Sequence, residues 1–117
     1  MNIGFQGIGE VAATFKVKEG AELNHGDAVV ITGNGEVGFG SEGGKVCGVV
    51  LHVDEDGYAG VQIGGLAEVG YSGTAPAVGW AMLCTDGEGK VKTTDADGVS
   101  CMVVSIDADA MTAVIKL

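Results

Sequence analysis

The chain of 117 residues has no arginine and only six lysines, against 16 aspartate and glutamate residues, so its formal net charge at pH 7 is −10. Proteins that bind nucleic acids neutralise phosphates with a basic surface, which this composition does not offer. An acidic surface repels DNA, RNA and anionic lipids, and it keeps a protein soluble. The charge balance therefore argues against a nucleic-acid or membrane partner.

Long apolar runs and a disulfide framework are also missing. No run approaches the ~20 apolar residues that cross a bilayer, and no charged start precedes an apolar stretch as in a signal peptide. The three cysteines, an odd number without framework spacing, argue against a disulfide-stapled secreted fold. We expect Cys47, Cys84 and Cys101, which lie in apolar runs, to be buried free thiols in a protein made and folded in a reducing cytoplasm.

Proline occurs once, whereas glycine accounts for 22 residues without a collagen-like period. This much glycine is typical of tight turns between short strands. From residue 15 onward, β-branched runs alternate with Gly, Asn and Asp clusters at a spacing typical of short strands, and no window shows the capped 3.6-residue period of a helix. The sequence predicts an all-β fold with little helix, a small antiparallel barrel or sandwich.

Residues 23–63 can be aligned with residues 76–116 as two similar halves. The shift between them is 53 or 54 residues and changes at glycine-rich turns, where insertions are tolerated. Matched positions include Gly26 with Gly79, Thr32 with Thr85, Asp54 with Asp107, Val37 with Val91 and Cys47 with Cys101. We predict an internal repeat within a single β domain over residues 15–117, preceded by a flexible N-terminal arm over residues 1–14.

Three motifs resemble chemical sites without meeting their requirements. Residues 33–38 read G-x-G-x-x-G, but a strand precedes and follows them, so a hairpin with a type I′ Asn34-Gly35 turn is favoured over a dinucleotide site. The acidic turns at 54–57 and 95–98 lack carboxylates at the outer ligand positions of a calcium loop. His25 and His52 have no second ligand nearby. The sequence predicts no catalytic, cofactor or metal site, although a Cys–His pair in space stays open.

Two apolar features of the sequence could mark a contact surface. The arm carries four apolar residues, which either pair with an edge strand of the same domain or dock on a partner. These candidate contact residues are Ile3, Phe5, Ile8 and Val11. Trp80, the single tryptophan, is expected to anchor the core, with an interface anchor as the alternative.

Several segments together resemble one family. The distinctive one is Tyr71-Ser72-Gly73-Thr74-Ala75-Pro76. It is accompanied by Phe15-Lys16-Val17-Lys18-Glu19-Gly20, Gly57-Tyr58-Ala59-Gly60-Val61-Gln62-Ile63, Gly89-Lys90-Val91-Lys92-Thr93 and the terminal Val114-Ile115-Lys116-Leu117. Over most of residues 15–117 the sequence is similar to the small capsid decoration, or cement, proteins of tailed bacteriophages.

The resemblance implies a compact β domain with no enzymatic activity and no cofactor. It implies a structural virion protein on the outer capsid surface that stabilises the lattice of the major capsid protein, its partner, as a homo-oligomer with a trimer favoured. The main alternative is a carbohydrate- or host-surface-binding β module of a phage tail or fibre, which needs an exposed aromatic pair among Trp80, Tyr58 and Tyr71. A cytosolic β-barrel enzyme or ligand carrier would need a deep pocket lined by His25 or His52.

Overall fold

The computed structural model describes residues 10–95 and 98–117, and these contain β-strands and no helix. The strands are β1 (Val11–Val17), β2 (Ala28–Gly33), β3 (Glu36–Gly38), β4 (Gly48–Val53), β5 (Tyr58–Gly64), β6 (Leu66–Gly70), β7 (Gly79–Thr85), β8 (Val91–Thr93), β9 (Val99–Asp107) and β10 (Thr112–Lys116). The all-β fold predicted from the sequence is confirmed.

The first five strands form a closed barrel in the order β1-β3-β2-β4-β5, and β5 pairs back to β1. All pairings are antiparallel except the one between β1 and β3, where Val17 lies opposite Val37. Since alternate residues of a strand point to the same side, the β-branched runs place one set of side chains inside the barrel. Val29, Val37, Val50 and Val61 are fully buried there.

The other five strands form an antiparallel sheet in the order β6-β10-β9-β7-β8. One isolated parallel bridge, between Tyr71 and Val91, joins the chain just after β6 to β8. The inner side chains of this second sheet pack around Leu83, Val103 and Ile115, each at most 1% exposed.

The two sheets share one strand order. Because the Tyr71 bridge brings the end of β6 next to β8, the second sheet can also be followed in the order β6-β8-β7-β9-β10. This order matches β1-β3-β2-β4-β5 of the first sheet strand for strand. The parallel contact of Val17 with Val37 has its counterpart in that of Tyr71 with Val91, 54 residues later in both members. A duplicated unit would produce this correspondence, and the duplication itself stays a prediction.

The two halves are packed together rather than strung side by side. Ala28 of β2 and Val49 of β4 belong to the hydrophobic cluster of the second sheet. The main chain also crosses between them, because Gly43 donates to the Thr85 carbonyl at 3.0 Å and Thr85 donates to the Gly44 carbonyl at 2.9 Å. The hydrophobic cluster of the second sheet thus includes residues of the barrel, while the barrel keeps a separate cluster of its own.

Two local predictions need correction. The first strand begins at Val11 rather than at residue 15, because the main chain of its first residues pairs with β5. The hairpin at Asn34-Gly35 is confirmed, but its type is not I′: Gly35 has a φ of 68°, while Asn34 is not among the residues with positive φ. The β2–β3 register shifts between Ile31 and Gly33, and this bulge supplies the twist that a type I′ turn would otherwise provide.

Candidate functional site

An exposed apolar surface lies on the outer side of the second sheet. Val78, Trp80 and Met82 occupy alternate positions leading into and along β7, so they point to the same side. Their exposed fractions are 66%, 69% and 42%. Trp80 is therefore not a core anchor as expected from the sequence. About two-thirds of its surface is exposed to solvent.

Cross-strand neighbours extend this surface. Trp80 lies opposite Met102 of β9, Met102 opposite Lys116 of β10, and Lys116 opposite Leu66 of β6. Met102 and Leu66 are half-buried, and Lys116 is the only charged residue in this row. We call Val78, Trp80, Met82, Met102 and Leu66 the Trp80 face. It is an apolar area on a chain that carries 16 acidic residues.

Gly79 introduces this strand with a φ of 108°, a left-handed conformation that favours glycine. Gly26, at the matching place in the first half, has a φ of 90°. The same alignment places Trp80 against Asp27, so a large apolar residue stands where the other half has a carboxylate. This mismatch is the sequence signal that could have identified Trp80 as a surface residue.

The other aromatic candidates do not join Trp80. Tyr71 is 3% exposed and belongs to the core of the second sheet, whereas Tyr58 is 46% exposed on β5 of the barrel. Of the three aromatic side chains in question, the two exposed ones therefore belong to different sheets. The structure does not bring together the aromatic pair that the sugar-binding alternative needs on one face.

The histidines are held at the surface. The His25 Nδ1 atom lies 2.8 Å from the Leu51 carbonyl oxygen, and the side chain borders a cavity of about 270 Å³ that Asp27 and Lys90 also line. His52 is exposed, as its alternation with Leu51 and Val53 predicts, and its ring covers Gly60. Within residues 10–95 and 98–117, the cavity beside His25 is small and open to solvent, unlike the deep pocket that a ligand carrier would need.

Acidic turn residues hold the main chain. The Asp54 Oδ1 atom accepts hydrogen bonds from the Asp56 amide at 3.0 Å and from the Tyr58 amide at 3.2 Å. The Asp107 Oδ1 atom accepts hydrogen bonds from the Asp109 amide at 3.1 Å and from the Ala110 amide at 3.2 Å. Of the turn at 95–98, residues 96 and 97 lie outside the described ranges. Within those ranges no group of three or more His, Cys, Asp or Glu side chains is arranged to hold a metal ion.

All three cysteines are free thiols. Cys84 and Cys101 are buried, and Cys47 is half-buried. Burial raises the pKa of the Cys47 and Cys101 thiols, because a thiolate is poorly solvated in an apolar environment. These two side chains therefore stay protonated at neutral pH, which makes them poor nucleophiles.

The structure places only one of the four predicted arm contacts. Val11 is the first residue of β1; its main chain pairs opposite Gly64, and it is 55% exposed. Ile3, Phe5 and Ile8 lie outside the described residues. The Trp80 face, whose tryptophan the sequence offered as an interface anchor only as the alternative to a core anchor, is the stronger candidate among the residues that can be placed.

Comparison with known proteins adds no assignment: no protein-family model matches the sequence, and no curated protein matches it significantly. In the part of the chain that the structure describes, no helix has the length and apolar character needed to span a membrane.

Proposed function

We propose that this protein is a structural virion protein that binds the outer surface of a bacteriophage head and stabilises the lattice of the major capsid protein. The observation that carries the proposal is the exposed Trp80 face. Exposed apolar patches mark protein-interaction sites, and tryptophan is enriched among the residues that dominate binding energy. The all-β fold and the sequence resemblance to capsid decoration proteins support the same assignment.

The size of the face suits a repeated contact of modest strength. An aromatic side chain buries 150–250 Å², so covering the exposed two-thirds of Trp80 would contribute about 3–4 kcal/mol as an upper limit. Association costs about 4–15 kcal/mol in lost freedom of motion, so one such contact gives only weak binding. A trimer presenting three copies of the face at once would bind a lattice far more tightly.

Residues of the N-terminal arm would add to this contact. We propose that Ile3, Phe5, Ile8 and Val11 bind along an exposed strand of a capsid subunit, with main-chain hydrogen bonds and apolar side chains in pockets. The net charge of −10 would keep unassembled copies apart from one another and from the phage DNA.

The test is co-sedimentation with purified, expanded bacteriophage heads. We expect Trp80→Ala to raise the dissociation constant at least ~10-fold, which corresponds to about 1.4 kcal/mol. Tyr58→Ala, which removes an exposed aromatic from the barrel, is the matched control and should bind like the wild type. Circular dichroism checks that both variants are folded. Failure of the wild type to sediment with heads, or normal binding by Trp80→Ala, would overturn the proposal.

The arm is tested separately by deleting residues 2–9. A longer deletion to residue 13 would remove the start of β1 and open the barrel, because residues 11–14 pair with β5. We expect the shorter deletion to leave the domain folded and to lower head occupancy. Occupancy equal to that of the full chain would exclude the arm from the contact and leave the Trp80 face as the binding surface.

A further inference from the structure

β2 loses its neighbour β4 halfway along its length. The two strands are in register only at Ala28 with Val49 and at Val29 with Gly48. The Cys47 amide donates to the Val29 carbonyl at 2.9 Å, and the chain before Cys47 diverges from β2. The divergence leaves a cavity of about 560 Å³, which we call the β2–β4 opening. This volume lies within the range of ligand-binding sites.

A main-chain edge faces the opening. The carbonyls of Asp27 and Val29 both accept hydrogen bonds from the β4 side. Because every second residue of an antiparallel strand directs its N–H and C=O to the same edge, the groups of Ile31 face that side too. The ladder with β4 ends at Val29, so no described strand lies opposite Ile31 there. Such an edge is a template for an added strand.

The side chains that line the opening are cationic, apolar and uncharged polar; the polar ones include Thr32 and Ser41, and the Thr32 hydroxyl donates to Glu36 Oε1 at 2.8 Å. Lys18 and Lys45, two of the six lysines, line it, and no aspartate or glutamate does, although the chain has 16. The single salt bridge among the described residues joins Lys92 to Glu42, so neither lining lysine is part of an ion pair there. Ile31 is 55% exposed at the same place. The lining thus offers positive charge beside apolar surface.

Glycines let the loop before β4 pack closely against β2 at one side of the opening. Gly40 has a φ of 67°, and a side chain there would collide with the Val30 side chain. A Cβ at Gly44 would lie 3.3 Å from Val30 and 2.9 Å from the Thr85 methyl group. On the opposite wall the stem of Lys18 packs against Gly38, which positions this lysine beside the opening.

We propose that the β2–β4 opening binds an extended segment of a partner protein that carries carboxylates beside apolar side chains, and that this segment pairs as a strand with Ile31. Charge complementarity selects an acidic segment, because the lining holds two lysines and no carboxylate. Because the edge at Ile31 offers main-chain groups to a strand, it favours an extended peptide over a compact anion. The site is separate from the Trp80 face, so the inference does not depend on head binding.

The probe is a nine-residue peptide of alternating glutamate and valine, titrated into the ¹⁵N-labelled full chain. Binding shifts the amide signals of residues 30–32 and slows hydrogen exchange of the Ile31 amide about tenfold or more, since that amide becomes hydrogen-bonded. The same peptide with glutamine in place of glutamate binds about tenfold more weakly. Lys45→Gln weakens binding of the glutamate peptide about threefold, the effect of one exposed ion pair. Lys116→Gln, which removes an exposed lysine on β10, leaves it unchanged.

Four results would overturn the proposal. The first is no binding of the glutamate peptide at millimolar concentration. The second is equal loss of affinity in Lys45→Gln and Lys116→Gln. It would show that affinity depends on the net charge of the protein and not on a lysine at the opening. The third is binding that leaves exchange of the Ile31 amide unchanged, which excludes strand addition. The fourth is protection of the Ile31 amide from hydrogen exchange that grows with protein concentration in the absence of peptide. This result would assign the opening to a second copy of this chain and reject an acidic partner.

Discussion

Met111 is held in an unfavourable backbone conformation. Its φ is 53°, and it is the one non-glycine residue with positive φ among residues 10–95 and 98–117. Gly57, 54 residues earlier in the matching turn, has a φ of 85°. The left-handed conformation costs an L-residue about 1–2 kcal/mol, while glycine loses about 0.5–1 kcal/mol more chain entropy on folding. Met111→Gly should therefore stabilise the protein by about 0.5–1 kcal/mol.

The free energy of unfolding, measured in urea, checks this prediction. Met82→Gly is a matched control, because Met82 is also 42% exposed but lies in β7. Glycine inside a strand adds flexibility and removes packing, so this control should lose stability. If both glycine variants were destabilised alike, the backbone of Met111 would not be strained.

Asp27 lies where the two halves meet. Its Oδ2 atom accepts a hydrogen bond from the Asn24 amide at 2.8 Å, and its Oδ1 atom leaves no room for a side chain at Gly89. Burial raises the pKa of this carboxyl above 3.8, and the Asn24 hydrogen bond partly opposes the rise. A raised pKa in the folded state means that the contribution to stability is present below the unfolded pKa and is lost as the pH rises through the folded pKa.

Asp27→Asn should therefore be more stable than the wild type at pH 7, because asparagine keeps an acceptor for Asn24 without the buried charge. The difference should shrink as the pH falls and vanish below about pH 3.8, where both side chains are neutral. Urea unfolding at a series of pH values measures it, with the exposed Glu55→Gln as control. A stability difference that grows toward low pH would contradict the assignment.

At the scale of elements, the β-branched runs predicted most strands because their pattern is local. The apolar and β-branched runs at 28–32, 46–53 and 99–106 correspond to β2, β4 and β9 to within two residues. The start of β1 was missed, since Ala12, Ala13 and Thr14 show no alternation of their own and become a strand through pairing with β5. The bulge before Gly33 also depends on a partner strand, which is why the Asn34-Gly35 dipeptide predicted the hairpin but not its turn type.

The candidate surfaces were harder to predict than the strands. The apolar run of β7 predicted a strand but not which of its two faces is covered, because that depends on how the second sheet packs. Trp80 was therefore assigned to the wrong face. The β2–β4 opening depends on where the loop at 39–47 rejoins β2, and that is set by contacts of Gly43 and Gly44 with Thr85 in the other half. No pattern within the loop carries this information.

At the scale of the whole molecule, the shared hydrophobic cluster predicts that the halves unfold together. Val49 belongs to the barrel, yet it is 3% exposed within the hydrophobic cluster of the second sheet. Val49→Ala removes buried apolar volume and should lower the free energy of unfolding by about 1–3 kcal/mol. Because Val49 lies on a barrel strand but packs in the cluster of the second sheet, this loss should be transmitted to strands that the barrel does not contain.

Native-state hydrogen exchange tests this coupling, since the slowest amides of a cooperative unit report its global stability. In Val49→Ala the slowest amides of β5 and of β9 should both exchange faster by the same factor, although β9 lies in the other sheet. Val53→Ala on the same strand is the control. Because Val53 is 40% exposed, this substitution should change the exchange rates of the β5 and β9 amides little. If exchange accelerated in β5 while β9 kept its wild-type rate, the two sheets would be separate folding units despite their shared cluster.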